Sequence, residues 1–195
     1  MKPPLFRILL PLLLCSPVSA APYFVHCYDF GCKSWMELHY GDEQWRTIRA
    51  IMQRGNIDAG AEKQAIRRAV AAMERFSGAI AGTDLDKAGN YPGSDLPGQM
   101  DCIDESTNTF QYLSALDELG LLKYHRVDIK QRRMVWFITH WTATISELDG
   151  GRRFAVDSWY RDNGELPYIQ PIEDWQRKRD FPADYNPELA AAGEP

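Results

Sequence analysis

Two cysteines five residues apart, Cys27 and Cys32 in the run H-C-Y-D-F-G-C, limit what the start of this chain can become. They can be each other's partner only if the backbone doubles back between them. Tyr23 to Leu38 therefore predicts a hairpin whose loop is Tyr28-Asp29-Phe30-Gly31, with Cys27 facing Cys32. Facing positions on antiparallel strands have the Cβ separation a disulfide needs. Closing so small a loop stabilises a fold by roughly 2 kcal/mol in the chain-entropy model. A zinc site using the same cysteines with His26 or His39 fits no common ligand spacing, and the gap is too long for a thioredoxin-like redox pair. Cys102, in G-Q-M-D-C-I-D-E-S-T, has no such neighbour. An odd cysteine in an exported chain pairs with another molecule or stays a free thiol.

Export is read from the N-terminus. Lys2 and Arg7 precede an apolar stretch from Ile8 to Cys15, and Val18-Ser19-Ala20 offers small residues for cleavage after Ala20. That stretch is too short to span a bilayer, and Leu14 is bulky where a lipoprotein signal before Cys15 carries a small residue. The expected organisation is a signal peptide (1–20), one domain (21–179) and a loose C-terminal tail (180–195) rich in Pro, Ala and Glu. A periplasmic or secreted protein with no membrane span follows. The whole chain carries a net charge of −5, and losing the two leader cations makes it more acidic. Its basic clusters are short and separated, which argues against nucleic-acid or anionic-membrane partners.

Two helices are expected next, one from Asp42 to Arg54 stopping at Gly55, another beginning near Asp58. The second carries Ile66, Ala69, Val70, Met73, Phe76 and Ile80 on one face, at the spacing of a core-facing helix. Gly82 to Met100 is a polar connection. Within it Asp84-x-Asp86-x-x-Gly89, with Asp95 at position twelve, partly matches a calcium loop, and a plain turn is the default. A helix from Cys102 to Leu119 ends at Gly120. Strands are expected at Tyr124 to Ile129, at Val135 to Leu148 with Val135, Phe137, Trp141, Ala143 and Ile145 on one face, and at Arg153 to Tyr160.

Asp149-Gly150 is a hairpin turn signal, and a two-residue turn there makes paired residue numbers sum to 299. His140 then faces Trp159, and Asp157 is its diagonal neighbour on the same face, within reach of an imidazole. A one-residue slip would send Asp157 to the other face. Cys102 at a helix start gains from unpaired N–H groups and the positive dipole end. A histidine beside it would lower its pKa below the free value of about 8.5 and act as base, and an aspartate would orient the imidazole. Asp101, Asp104 and Glu105 oppose ionisation of the thiol. The structural alternatives are a buried small cysteine, a satisfied sheet histidine and an aspartate capping the loop at Arg161 to Gly164.

These residues carry a resemblance. Asp101-Cys102-x-Asp104, Leu119-Gly120, His140-Trp141 and Val156-Asp157-Ser158 are similar to the pattern of the transglutaminase-like cysteine proteinase superfamily. The resemblance covers roughly residues 98 to 160. It implies an α+β fold with helices packed on an antiparallel sheet, a transglutaminase-like or papain-like core, to which the disulfide hairpin is an N-terminal addition. It implies thiol-dependent hydrolysis or transfer of peptide-type acyl groups by Cys102, His140 and Asp157, on a peptide or protein substrate and with no required cofactor. Periplasmic relatives with an acidic neighbourhood can use calcium, which makes Asp101, Asp104 and Glu105 ligand candidates. No oxyanion side chain is specified, and Gln99 is the nearest one. The rival reading is a non-catalytic binding protein on the same scaffold, using a cleft edged by Trp141, Trp159 and Trp175.

Overall fold

The computed structural model describes residues 21–90, 97–135 and 137–178, without the side chains of Val135 and Ile138. The expected leader, the tail and Asp95 lie outside the described residues. The chain is α+β. A hairpin, β1 (Tyr23–Tyr28) and β2 (Ser34–His39), precedes α1 (Asp42–Arg54), α2 (Ala59–Ala81) and α3 (Cys102–Glu118). Then β3 (His125–Val135), β4 (Ile138–Glu147), β5 (Arg153–Asp157) and β6 (Tyr168–Pro171) form an antiparallel sheet in chain order, followed by α4 (Ile172–Gln176). No helix among the described residues is long and apolar enough to cross a membrane.

Local chemistry places the helices. Asp58 accepts from the Ala61 N–H at 2.7 Å and starts α2, and Gly82, at φ 76°, ends it. Ile66, Ala69, Val70 and Met73 face inward and are fully buried with Leu113 and Leu116 of α3 and Ala143, Ile145 and Val156 of the sheet. That one core locks α2 and α3 to the sheet, so the start of α3 has a fixed place relative to β4. Ile80 is 47% exposed and leaves the stripe it was expected to extend, because α2 outruns the core at its last turn.

The disulfide joins Cys27 to Cys32, but the two do not face each other. Cys27 pairs with Trp35, and Cys32 lies in the loop. The loop reaches back through four consecutive left-handed residues, Asp29, Phe30, Gly31 and Cys32, with φ of 66°, 62°, 76° and 57°. Only glycine adopts that conformation without cost, so the turn needs anchors. Asn108 of α3 supplies two, donating to Cys27 O at 2.9 Å and accepting from Cys27 N at 2.7 Å.

The expected strand from Val135 to Leu148 is two strands. Val135 ends β3 and pairs with Ile138, and Phe137 is 95% exposed instead of on the inner face. β3 accordingly runs six residues beyond Ile129. Between β4 and β5 the pairs Ala143–Val156, Thr144–Ala155, Ile145–Phe154 and Ser146–Arg153 all sum to 299, the expected register. The turn itself is longer: the Glu147 N–H donates to Arg152 O, and the loop runs from Leu148 to Gly151. Adding one residue on each side keeps the sum and hence the faces. β5 stops at Asp157, and β6 and α4 had no counterpart in the sequence reading.

Candidate active site

Cys102 is the first residue of α3, and a reciprocal cap fixes that start. Asp101 accepts from the Ile103 and Asp104 N–H groups at 2.9 and 3.1 Å, and Asp104 accepts from the Asp101 N–H at 3.2 Å. The D-C-I-D run is thus a capping box, a local pattern legible in the sequence. Asp104 also accepts from the Cys32 N–H, tying the left-handed disulfide loop to the helix start.

The thiol is buried against β4 on both sides of His140. Its Sγ donates to Thr139 O at 3.7 Å and accepts from the Trp141 N–H. His140 Nε2 lies 2.7 Å from Asp157 Oδ2, with both side chains buried. A carboxylate only accepts, so Nε2 donates, and in the neutral imidazole Nδ1 carries the lone pair. Nδ1 is buried and has no hydrogen-bond partner among the described residues, the thiol included.

An aromatic box holds the imidazole. Trp159, Tyr160 and Trp175 stand 4.8, 5.2 and 5.7 Å from it, centroid to centroid. Trp175 Nε1 donates to Asp157 Oδ2 at 2.7 Å, so one oxygen receives both the indole and the imidazole. Arg133, which pairs with His140 across the β3–β4 ladder, stacks 4.6 Å over Trp175, donates to its carbonyl and reaches Tyr160 OH at 2.7 Å. Arg133 lies beyond Ile129, where the sequence pattern predicts the strand to end, so only the longer β3 brings it to the site. Trp175 was assigned to a cleft edge, yet it is fully buried and holds the carboxylate from behind. Trp159 is 7% exposed and is a wall of the box, whereas Trp141 keeps a half-buried ring at the surface.

Electrostatics run against the expected acidic thiol. Burial pushes Cys102 up to about 11, aided by the charges of Asp101 and Asp157, and the Trp141 and Cys102 N–H groups offset this only in part. Desolvation of the thiolate is the largest cause.

Gln99 is not presented to the thiol. Its Nε2 donates to Leu85 O at 3.0 Å, its Oε1 accepts from Lys87 N and Asn90 Nδ2, and at 1% exposure it has no access to a substrate. The acidic candidates for calcium diverge. Asp101 caps α3, and Asp104 serves backbone N–H groups. Glu105 points inward to donate to Asp86 beside Glu74. Among the described residues no group of three or more His, Cys, Asp or Glu side chains is arranged to hold a metal ion. His26 and His39 are equally committed, to Thr83 and Tyr112 and to Glu37 respectively. Asp86 of the partial calcium loop is buried and accepts from the Met100 N–H at 2.7 Å, as a turn residue does.

No family model, curated protein or solved structure matches the chain.

Proposed function

We propose that this protein is a thiol-dependent hydrolase or acyl transferase of the transglutaminase-like cysteine proteinase type, acting on peptide amides in the periplasm or outside the cell. One observation carries the reading. A lone thiol at a capped helix start lies against the backbone on both sides of a histidine that spends Nε2 on a buried aspartate and keeps a buried Nδ1 without a partner. Burying a polar atom without a partner costs free energy, and a catalytic role is one explanation for keeping such an atom.

With the thiol protonated at rest, His140 acts as a general base rather than as half of a preformed ion pair. The Cys102 Sγ attacks the acyl carbon while its proton passes to His140 Nδ1. The Cys102 N–H, at the positive end of α3, hydrogen-bonds the developing oxyanion. Collapse breaks the C–N bond, the departing amine takes the proton from Nδ1, and a thioester remains on Cys102. Water or another amine then attacks the thioester carbon as its proton passes to His140 Nδ1, and the C–S bond breaks as the sulfur takes that proton back. Asp157 stabilises the imidazolium in both halves.

The rival reading is a binding protein on the same scaffold, and the raised thiol pKa favours it. p-Nitrophenyl acetate separates the two. An active thiol gains one acetyl group on Cys102, seen by intact mass, and His140→Ala slows this by about 100-fold or more. A wild-type chain that acetylates no faster than its His140→Ala variant would leave the binding protein as the better account.

A further inference from the structure

Beside Cys102 the protein presents a small cationic and aromatic surface that the acyl-transfer chemistry does not use. Lys130 Nζ lies 5.8 Å and Arg132 Cζ 6.0 Å from the centroid of the Trp141 ring. Lys130 donates to Thr107 Oγ1 at 2.7 Å, and Thr107 in turn donates to Ile103 O, on the residue next to the thiol. Ile103 is 38% exposed and adds an apolar edge.

The chain has 27 acidic side chains against 22 Lys and Arg, and some of its cations have a carboxylate partner. Lys63, Lys87, Arg152, Arg153 and Arg161 all have one. Among the described residues Lys130 and Arg132 have none, as is true also of Lys33, Arg46, Arg49 and Lys123, but these two flank an indole beside the thiol. The nearby acids are committed elsewhere, Asp128 to Arg153 and Asp101 to the cap of α3. Lys130 is also half-buried, and desolvation lowers its ammonium pKa. A cation that has lost part of its water without gaining a counter-ion is destabilised, and an incoming carboxylate relieves that.

We propose that Lys130, Arg132 and Trp141 form a docking subsite for an acidic peptide segment adjoining the acyl group delivered to Cys102. This rests on the thiol reading above for its catalytic meaning, although the surface itself does not. Carboxylates of the segment sit between the two cations while its side-chain stems cover the indole. The surface gives orientation and a faster encounter in an otherwise acidic protein.

The test uses the Cys102→Ala chain, which cannot turn over, and a short fluorescein-labelled peptide of alternating alanine and glutamate read by fluorescence anisotropy. The expected result is saturable binding that weakens with added salt, at least about tenfold tighter than for the glutamine analogue. Lys130→Gln with Arg132→Gln should abolish that preference, and Lys130→Arg with Arg132→Lys should keep it. Equal binding of the glutamate and glutamine peptides overturns the proposal. So does unchanged affinity in the double glutamine variant, or single-stranded DNA binding as tightly as the peptide. Selective binding by a wild-type chain that never acetylates Cys102 would uphold the subsite and defeat the thiol reading.

Discussion

The indole N–H of Trp175 donates to Asp157 at 2.7 Å, on the oxygen that also receives His140. Trp175 lies on the short α4, eighteen residues beyond the aspartate, and is fully buried. Trp175→Phe keeps a ring in the box and removes the donor. We expect a loss of about 1 kcal/mol in urea unfolding. Acetylation of Cys102 should fall less than in His140→Ala, because the imidazole keeps its base and loses only part of its support. An unchanged stability and rate would show that the indole merely fills space.

In the mature chain, cleaved after Ala20, the disulfide should be the only one formed, leaving Cys102 as the single alkylated site in denatured, unreduced protein by mass spectrometry. Replacing Cys27 and Cys32 together with serine should cost about 2 kcal/mol through loop closure alone. The left-handed run should then lose its hold on Asp104, so protease nicking within residues 28–33 is the expected local sign.

Iodoacetamide should label native Cys102 slowly at neutral pH. With burial holding the thiol near 11, the rate should climb about tenfold per pH unit through the range where the fold survives. A plateau reached near pH 7 would mean that the thiolate is stabilised by His140 after all.

Stability should fall as the solution turns alkaline. Glu74 is pushed up to about 7 and Asp86 to about 6, in each case chiefly by burial, with Glu105 raised beside them. These groups bind protons more tightly folded than unfolded, so their stabilisation is full below the unfolded carboxylate values. It is lost as pH rises through the folded ones. His26, lowered to about 4 by burial, works oppositely and costs stability as pH falls below about 6.5. Between about pH 6.5 and 8 only the carboxylates act, so the melting temperature should drop across that window, and Glu74→Gln should flatten it. A melting temperature that rises there would contradict the buried cluster.

Millimolar calcium should leave the melting temperature unchanged, because Asp101, Asp104 and Glu105 address three different partners. A heat of binding in calorimetry would require at least two of them to turn.

What the sequence determined by itself was local or repeated. The stripe from Ile66 to Met73 fixed the inner face of α2, and the D-G signal with its flanking strands settled a register in which His140 and Asp157 share a face. Both follow from backbone periodicity, which a residue's neighbours dictate. Tertiary structure decided what the distant partners do. The turn carrying Asp149 lengthened without changing the register because one residue was added to each side. Cys27 lost its expected facing position because the loop could turn left-handed once Asp104 and Asn108 received its N–H groups. Trp175 looked like a cleft edge until α4 folded behind Asp157, and Arg133 acquired its place only when β3 ran on to Val135. The charge on Cys102 was decided last. A helix start favours a thiolate, but how far water is excluded depends on the packing of α3 against β4, and that burial raises the thiol pKa.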